Sequence, residues 1–409
     1  MIRNFLDNFN KLPLSNRSMV YLKWIYSVWN IIGGLFINIY VFQINGSIEE
    51  SLIFNIIYFC STAIWFSGVG YMMSVLRKNV KNMYYGCYLL FALSFVLLFV
   101  LKDNVIATYS FSMIYAFWNG MFWCALHTQE LKNISDDRRD FYSSSISAGK
   151  DIISIFVPLL IAIAFWLWWI FHFDWYMVLF WALPFCYIVS LLFIKNIDDY
   201  TPNKMTGPDV SNFFNPKKHK FGHLYFFFDG MSHALINLLA LVSIILLKTE
   251  FNIWIFQSIL ALMSAFLIVH IWFKRNANNR LKYFIIMAIL YSIIILFLSF
   301  YFSLIGFILF SIAMVFVKPL YEVSLHVYNL KLMDSVKQWE SDFYPAMILR
   351  EVFLWLWRLT ILVILYFMYV YIDMSHETFL KIMLITLAVI FYFIIFSLCC
   401  WEKYERTDK

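Results

Sequence analysis

Apolar positions in this chain come in long unbroken runs rather than in alternation. The runs cover 18–44, 50–76, 82–101, 104–128, 142–170, 174–195, 222–247, 251–273, 281–300, 302–328, 343–371 and 377–401, with mostly short polar turns between them. A helix needs roughly 20 such residues to cross a hydrocarbon core about 30 Å thick, and every run meets that length. None shows the period of two that a membrane barrel strand requires. The pattern predicts an all-α polytopic membrane protein with twelve transmembrane helices. The first run starts only after polar residues through Arg17, with no small-residue cleavage site behind it, so it reads as a retained helix rather than a signal peptide.

The polar punctuation is uneven. Its longest stretch, 196–220, carries Pro202, Gly207, Pro208 and Pro216. This predicts a cytoplasmic linker, with a short surface helix near Val210 to Phe214, between six-helix bundles at 1–195 and 221–409. The two predicted bundles share a pattern. Leu126-His127, Leu131-Lys132, Asp136, Asp140-Phe141-Tyr142 and Lys150-Asp151 recur in order as Leu325-His326, Leu330-Lys331, Asp334, Asp342-Phe343-Tyr344 and Arg350-Glu351. Arg77-Lys78-Asn79 likewise recurs as Lys274-Arg275-Asn276. Two parallel, pseudo-symmetric copies place a polar ligand most naturally at the seam between them.

Composition agrees with the pattern, since only 14% of residues are charged where a soluble domain has about a quarter. The charges that remain are sorted by side. Alternate loops and the two termini hold 23 of the 31 Lys and Arg, whereas the opposite loops hold only Lys102, Lys248 and Lys381. That split predicts a bacterial cytoplasmic (inner) membrane protein with both termini in the cytoplasm. The net charge of +6 therefore calls for the bilayer as partner and for no nucleic acid. The six cysteines lie in or beside apolar runs, without metal-ligand spacing or the pattern of a disulfide framework, and read as buried apolar side chains.

Gly70-Tyr71-Met72-Met73-Ser74 followed by Arg77-Lys78, and Glu130 followed by Arg138 and Arg139, are degraded versions of two known elements. With six helices on either side of a linker, they make the chain resemble the major facilitator superfamily over essentially its whole length. Ser74 stands where that family's signature has an aspartate. The resemblance implies alternating access around a central cavity lined by helices 1, 4, 7 and 10.

A charge near the bilayer centre costs about 2.5–3.5 kcal/mol on insertion scales, so each one calls for a partner, water or a purpose. Lys23, Lys150, Lys318, Arg350, Arg358, Asp151, Asp229, Glu322 and Glu351 all fall inside predicted spans, with His127, His233 and His326 in or at the end of them. On the family assignment the cavity walls carry Lys23, Asn30, Asn119, His127, Asp229, His233, Asn237, Lys318, Glu322 and His326. Asp229 and His233, like Lys318 and Glu322, are four apart and share a helix face. They are either satisfied internal pairs or proton-coupling groups, and Asp229, Glu322 and His233 are the coupling candidates. Lys23, Asn30, Asn119, Asn237, Lys318 and Arg358 are the substrate-binding candidates. Adjacent charges on a helix point about 100° apart, so Lys150-Asp151 and Arg350-Glu351 need partners on other helices. With Glu130, Arg138 and Arg139 they are the candidates for a cytoplasmic gate, direct binding of an anionic group by Lys150 and Arg350 being the rival reading. His127 and His326 are too few for a metal site and read as capping or hydrogen-bonding groups. Trp166, Trp168 and Trp169 read as interface anchors, and Trp355 and Trp357 as packing.

These features predict a monomeric secondary active transporter of a small polar solute, zwitterionic or anionic, coupled to protons and needing no cofactor. A flippase for lipids or lipid-linked sugars on the same fold and a non-transporting receptor are the alternatives. No Walker sequence and no metal-diphosphate acidic motif support an ATPase or an enzyme.

Overall fold

Helix ends are set by local polar chemistry. Ser47 caps the second long helix by accepting the Glu49 N–H at 3.1 Å, and Glu49 and Glu50 complement the helix dipole there. The same helix ends as Arg77 turns left-handed, at φ 48° and ψ 47°, with its N–H returned to the Met73 carbonyl. In the computed structural model, residues 7–45, 47–100, 105–171, 188–214, 216–248, 250–271, 280–339, 343–372 and 374–407 are described.

The helices in chain order are α1 (Leu14–Asn45), α2 (Ile48–Leu76), α3 (Lys81–Val100), α4 (Val105–Asn133), α5 (Asp136–Phe171), α6 (188–194), α7 (Pro216–Leu247), α8 (Glu250–Ile271), α9 (Arg280–Phe300), α10 (Leu304–Trp339), α11 (Tyr344–Ile372) and α12 (His376–Thr407). A short linker helix, Gly207–Phe213, precedes α7. It starts three residues before the expected Val210, because Asp209 accepts hydrogen bonds from the Thr206 N–H and hydroxyl, both at 2.7 Å. Among the described residues seven helices are long and apolar enough to cross a membrane. The chain is an all-helical, multi-pass membrane protein. Most of the expected 174–195 span, and Lys274-Arg275-Asn276, lie outside the described residues.

Several helices outrun their apolar stretches. α4 continues to Asn133 and α10 to Trp339, beyond the ends expected at 128 and 328. Hydropathy marks where a helix meets hydrocarbon, whereas the backbone ladder continues wherever polar side chains can be satisfied in water or in the neighbouring loop.

Within the first set, α2 and α3 pack on α4, and α1 packs on α5; within the second, α9 packs on α10 and α12, and α7 on α11 and α12. Two glycines allow backbone contact. A Cβ on Gly120 would lie 2.8 Å from both Phe66 N and Thr62 O, and one on Gly230 would lie 2.5 Å from Leu354 O. α4 therefore meets α2, and α7 meets α11, at distances only a bare backbone permits. The two sets meet along a seam where α2 lies on α11 and α5 on α8, with lighter α1–α7 and α5–α10 contacts.

Candidate functional site

A cavity of about 500 Å³ opens inside this seam, between α1 and α5 on one side and α7, α8, α9 and α10 on the other. Asn30 and Lys318 are exposed although each is more than a dozen residues from either end of its helix, because each faces this space. Pro158 in α5 and Pro319 in α10 also line it. Each proline removes the helical hydrogen bond to the carbonyl four residues earlier, of Ser154 and Val315, and both of those residues line the cavity too.

The chemistry centres on Glu322. Its Oε2 accepts a 2.6 Å hydrogen bond from Lys150 Nζ on the far side of the seam, and its Oε1 lies 3.8 Å from Lys318 Nζ one turn earlier. Asp151, next to Lys150, also lines the cavity, and its Oδ2 has no hydrogen-bond partner among the described residues. His233 and Asn237 face the same space from α7. Asn237 Nδ2 donates to Asn55 Oδ1 of α2 at 2.8 Å, a second polar contact between the two helix sets.

Behind His233, Asp229 is fully buried. Its Oδ1 lies 3.5 Å from His233 Nε2, and neither carboxylate oxygen accepts a hydrogen bond among the described residues. Glu351 turns to its own helix, where Arg358 Nη1 donates to it at 2.6 Å. Arg350 is buried over the Phe226 ring at 5.4 Å and forms no ion pair among the described residues.

Several candidates stand away from the cavity. Lys23 lies 3.3 Å from the centroid of Trp123 and 4.4 Å from that of Tyr26, held by cation–π attraction. Asn119 accepts from Tyr26 OH at 2.8 Å and donates to Tyr58 OH at 2.5 Å, so its amide is engaged inside the first helix set. Arg358 reaches towards Phe59 of α2 at 5.8 Å. Arg138 is exposed at the start of α5, and the buried Arg139 lies 3.6 Å from Asp136. Trp357 packs against Phe227 at 4.1 Å, while the side chains of Trp166, Trp168 and Trp169 lie outside the described residues.

The end of the molecule that carries the basic turns is tied across the seam by polar contacts. Glu130 is buried and meets His127 Nδ1 at 3.0 Å, Tyr142 OH at 3.2 Å and, from α10, His326 Nε2 at 3.5 Å. His326 Nδ1 also lies 2.7 Å from Ser143 Oγ of α5. The two histidines of the repeat thus converge on one carboxylate. Nearby, Tyr344 OH donates to Gly70 O at 2.9 Å, joining α11 to α2. At the opposite end Tyr366 OH donates to Glu49 Oε1 at 3.1 Å, again between α11 and α2.

One element of this end is invisible to motif reading. Ser74, the residue in the signature aspartate's place, is fully buried. Its hydroxyl donates to Asn203 O at 2.6 Å and accepts from Met205 N–H at 2.7 Å. The linker stretch from Asp198 to Met205 is bound to the first helix set. Gln129 donates to Asp198 O at 2.9 Å, Lys132 to Asp199 O at 2.8 Å, and Val80 N–H to Tyr200 O at 2.8 Å. Tyr200 then stacks on Phe343 with ring centroids 5.7 Å apart. A strap folded on the first helix set thereby touches the start of α11. The groups the strap itself offers in these bonds are mostly backbone carbonyls, which carry no residue signature.

No family model matches this chain, and no curated protein is similar to it in sequence. Its fold is nevertheless found in solved structures. It is similar to the human organic anion transporter MFSD10 (TETRAN) at 12% identity and a TM-score of 0.64, over 94% of this chain and 98% of that one. It is also similar to a bacterial homologue of the iron transporter ferroportin, in an outward-facing state with soaked iron, at 9% identity and a TM-score of 0.62, over 95% and 98% of the two chains. The fold is major-facilitator-like.

Proposed function

We propose that this chain is a secondary active transporter, built as twelve spans in two six-helix bundles at 1–195 and 221–409, that moves a small zwitterionic or anionic solute by alternating access with protons as the coupling ion. Its basic end faces the cytoplasm of a bacterium. The observation that carries this reading is the Lys150–Glu322–Lys318 group, set within a polar cavity between helix sets that touch on both sides of it. A merely structural ion pair has no reason to line a space able to hold a solute. The fold adds support without choosing the cargo, since one similar structure is described as an organic anion transporter and the other as a homologue of an iron transporter. Two lysines on the wall favour a solute with an anionic group. One charge moving through 100 mV yields about 2.3 kcal/mol, enough for a modest accumulation per proton.

The test is uptake of pooled radiolabelled amino acids, hydroxy acids and sugar phosphates into proteoliposomes with an imposed pH gradient. Accumulation above the equilibrium level, abolished by Lys150→Ala and by collapsing the gradient, is the expected result. Movement of fluorescent lipids between leaflets without solute uptake would replace this reading with a flippase. Binding without movement would replace it with a receptor.

A further inference from the structure

We propose that the cavity takes a hydroxylated anion, an acidic sugar or a sugar phosphate, with its charge at Lys318 and its hydroxyls on a neutral polar wall formed by Ser243, Gln257, Ser264 and Ser311. This rests on the transport reading above and names the class of cargo within it.

A serine inside a helix ordinarily satisfies itself by donating to the carbonyl four residues earlier. Ser27, Ser145, Ser154, Ser324 and Ser397 all do so here, at 2.8–2.9 Å. Ser243 on α7, Ser264 on α8 and Ser311 on α10 do not. They are only 5%, 6% and 5% exposed, each lines the cavity, and none has a hydrogen-bond partner among the described residues. Gln257 stands seven residues before Ser264, hence on the same face of α8, and its cavity-lining amide is equally unpartnered among the described residues. A buried hydroxyl or amide is costly unless something polar meets it, so these four groups call for a polar occupant. Packing alone would favour alanine at the three serine positions, since alanine is the better helix former. Ordered water can satisfy the wall while the cavity is empty, and hydroxyls of a ligand can take the place of that water.

The charge of the occupant follows from Lys318. Its side chain is 47% exposed, and its 3.8 Å contact with Glu322 Oε1 is longer than a hydrogen bond. The ammonium therefore keeps its donors for the cavity, whereas Lys150 is bound to Glu322 at 2.6 Å. The unpartnered Asp151 Oδ2 is itself buried, so a cation has no comparable access to it. Ser311 stands seven residues before Lys318, on the same helix face and about 10 Å further along α10. A ligand anchored at Lys318 thus extends along the wall that carries Ser311. Leu260, Ala261, Met314 and Val315 line the same space and offer apolar surface to the C–H groups of a sugar. The neutral polar wall belongs to α7, α8 and α10 alone, so the hydroxylated part stays with the second helix set while the charged end meets the seam. An apolar acid would satisfy Lys318 and leave four polar groups facing hydrocarbon. A neutral polyol would do the opposite. A site built to hydrogen-bond hydroxyls strongly rejects the analogue that lacks them.

The experiment titrates the melting temperature of the full chain in detergent with gluconate, glucose 6-phosphate, hexanoate and sorbitol. Gluconate and hexanoate share chain length and carboxylate and differ in their hydroxyls, while sorbitol keeps the hydroxyls and lacks the charge. The better of the two sugar anions should bind at least about tenfold more tightly than hexanoate or sorbitol. Ser243→Ala, Ser264→Ala and Ser311→Ala should each weaken that sugar anion about 2- to 10-fold and leave hexanoate as it was. Lys318→Gln should weaken every anion and leave sorbitol unchanged. The wild-type ranking of the four probes decides the matter if a variant does not fold. The proposal is overturned if neither sugar anion binds, if hexanoate or sorbitol matches the better one, or if all three alanine variants bind it as the wild type does, which would leave the serines as a hydrated wall. A sugar anion bound but not taken up by proteoliposomes would remove the transport reading and leave the site standing. Uptake of hexanoate in preference to both sugar anions would do the reverse.

Discussion

Replacing Ser74 by alanine tests whether the linker is held by the residue that occupies the signature position. The substitution deletes one hydroxyl and with it two hydrogen bonds, to Asn203 O at 2.6 Å and from Met205 N–H at 2.7 Å. A typical intramolecular hydrogen bond contributes about 0.5–1.5 kcal/mol net, so the pair is worth about 1–3 kcal/mol. Asn203 is exposed, so water can reach the freed groups and the loss stays within that range rather than above it. The other strap contacts survive, and the cost should fall on local opening of 198–206 rather than on global unfolding. A local loss of 1–3 kcal/mol raises the open population about 5- to 150-fold. Trypsin at Lys204 reads that population directly, provided the strap recloses faster than it is cut. Cleavage at Lys403 in α12 serves as the internal reference. Faster cutting at Lys204 with an unchanged melting temperature is the expected result. A Ser74→Ala chain cut at the wild-type rate would refute the reasoning, and would mean that the strap rests on its other contacts, among them Ser15, Asn79, Val80, Lys81, Gln129, Lys132 and Phe343.

Three further outcomes follow from the packing. Cys124 is buried beside Gly70 and Tyr344, so Tyr344→Phe, which loses the bond to Gly70 O, should speed maleimide labelling of Cys124 several-fold; unchanged labelling would show that this bond does not hold the basic end closed. Gly120→Ala places a Cβ 2.8 Å from backbone atoms of α2 and should cost about 1–3 kcal/mol in thermal unfolding, whereas Gly68→Ala, with nothing within 4 Å, should not destabilise the protein. Trp123→Leu removes the nearest ring from Lys23 and should destabilise by about 0.5–2 kcal/mol at neutral pH, with Lys23→Met largely restoring the melting temperature; a double variant no more stable than Trp123→Leu would contradict the cation–π account.

How far the sequence reaches can be judged from particular residues. The start and end of α2 follow from Ser47 and from the polar turn after Leu76, both local signals. The spacing of four places Lys318 beside Glu322 and Asp229 beside His233, and both pairs are close in the structure. Spacing carries no information about which helix faces which. Spacing therefore groups Lys150 with the gate candidates and Glu322 with the coupling candidates, although the two are bonded across the seam. For the same reason Arg358 and Asn119 read as cavity groups from helix position alone, whereas one turns back to Glu351 and the other to Tyr26 and Tyr58. The repeat correctly singles out His127 and His326 as a related pair. That Glu130 sits between them depends on a turn of α4 against α10 that no periodicity encodes.

The strap also bears on where this polypeptide can be divided. A break introduced at 207–214 would leave the first fragment with Asp198 to Met205 still attached, and so with the surface that Ser74, Val80 and Lys132 complete. A break before Asp198 would hand that surface to the second fragment, which offers it only the ring contacts of Tyr200 with Phe343 and Tyr344 and none of these hydrogen bonds. Co-expressed pieces should reassemble in the first case and fail in the second. For gene fission, circular permutation or insertion of a fluorescent reporter, the usable joint is thus the short linker helix, while the stretch before it is inherited with the N-terminal fragment.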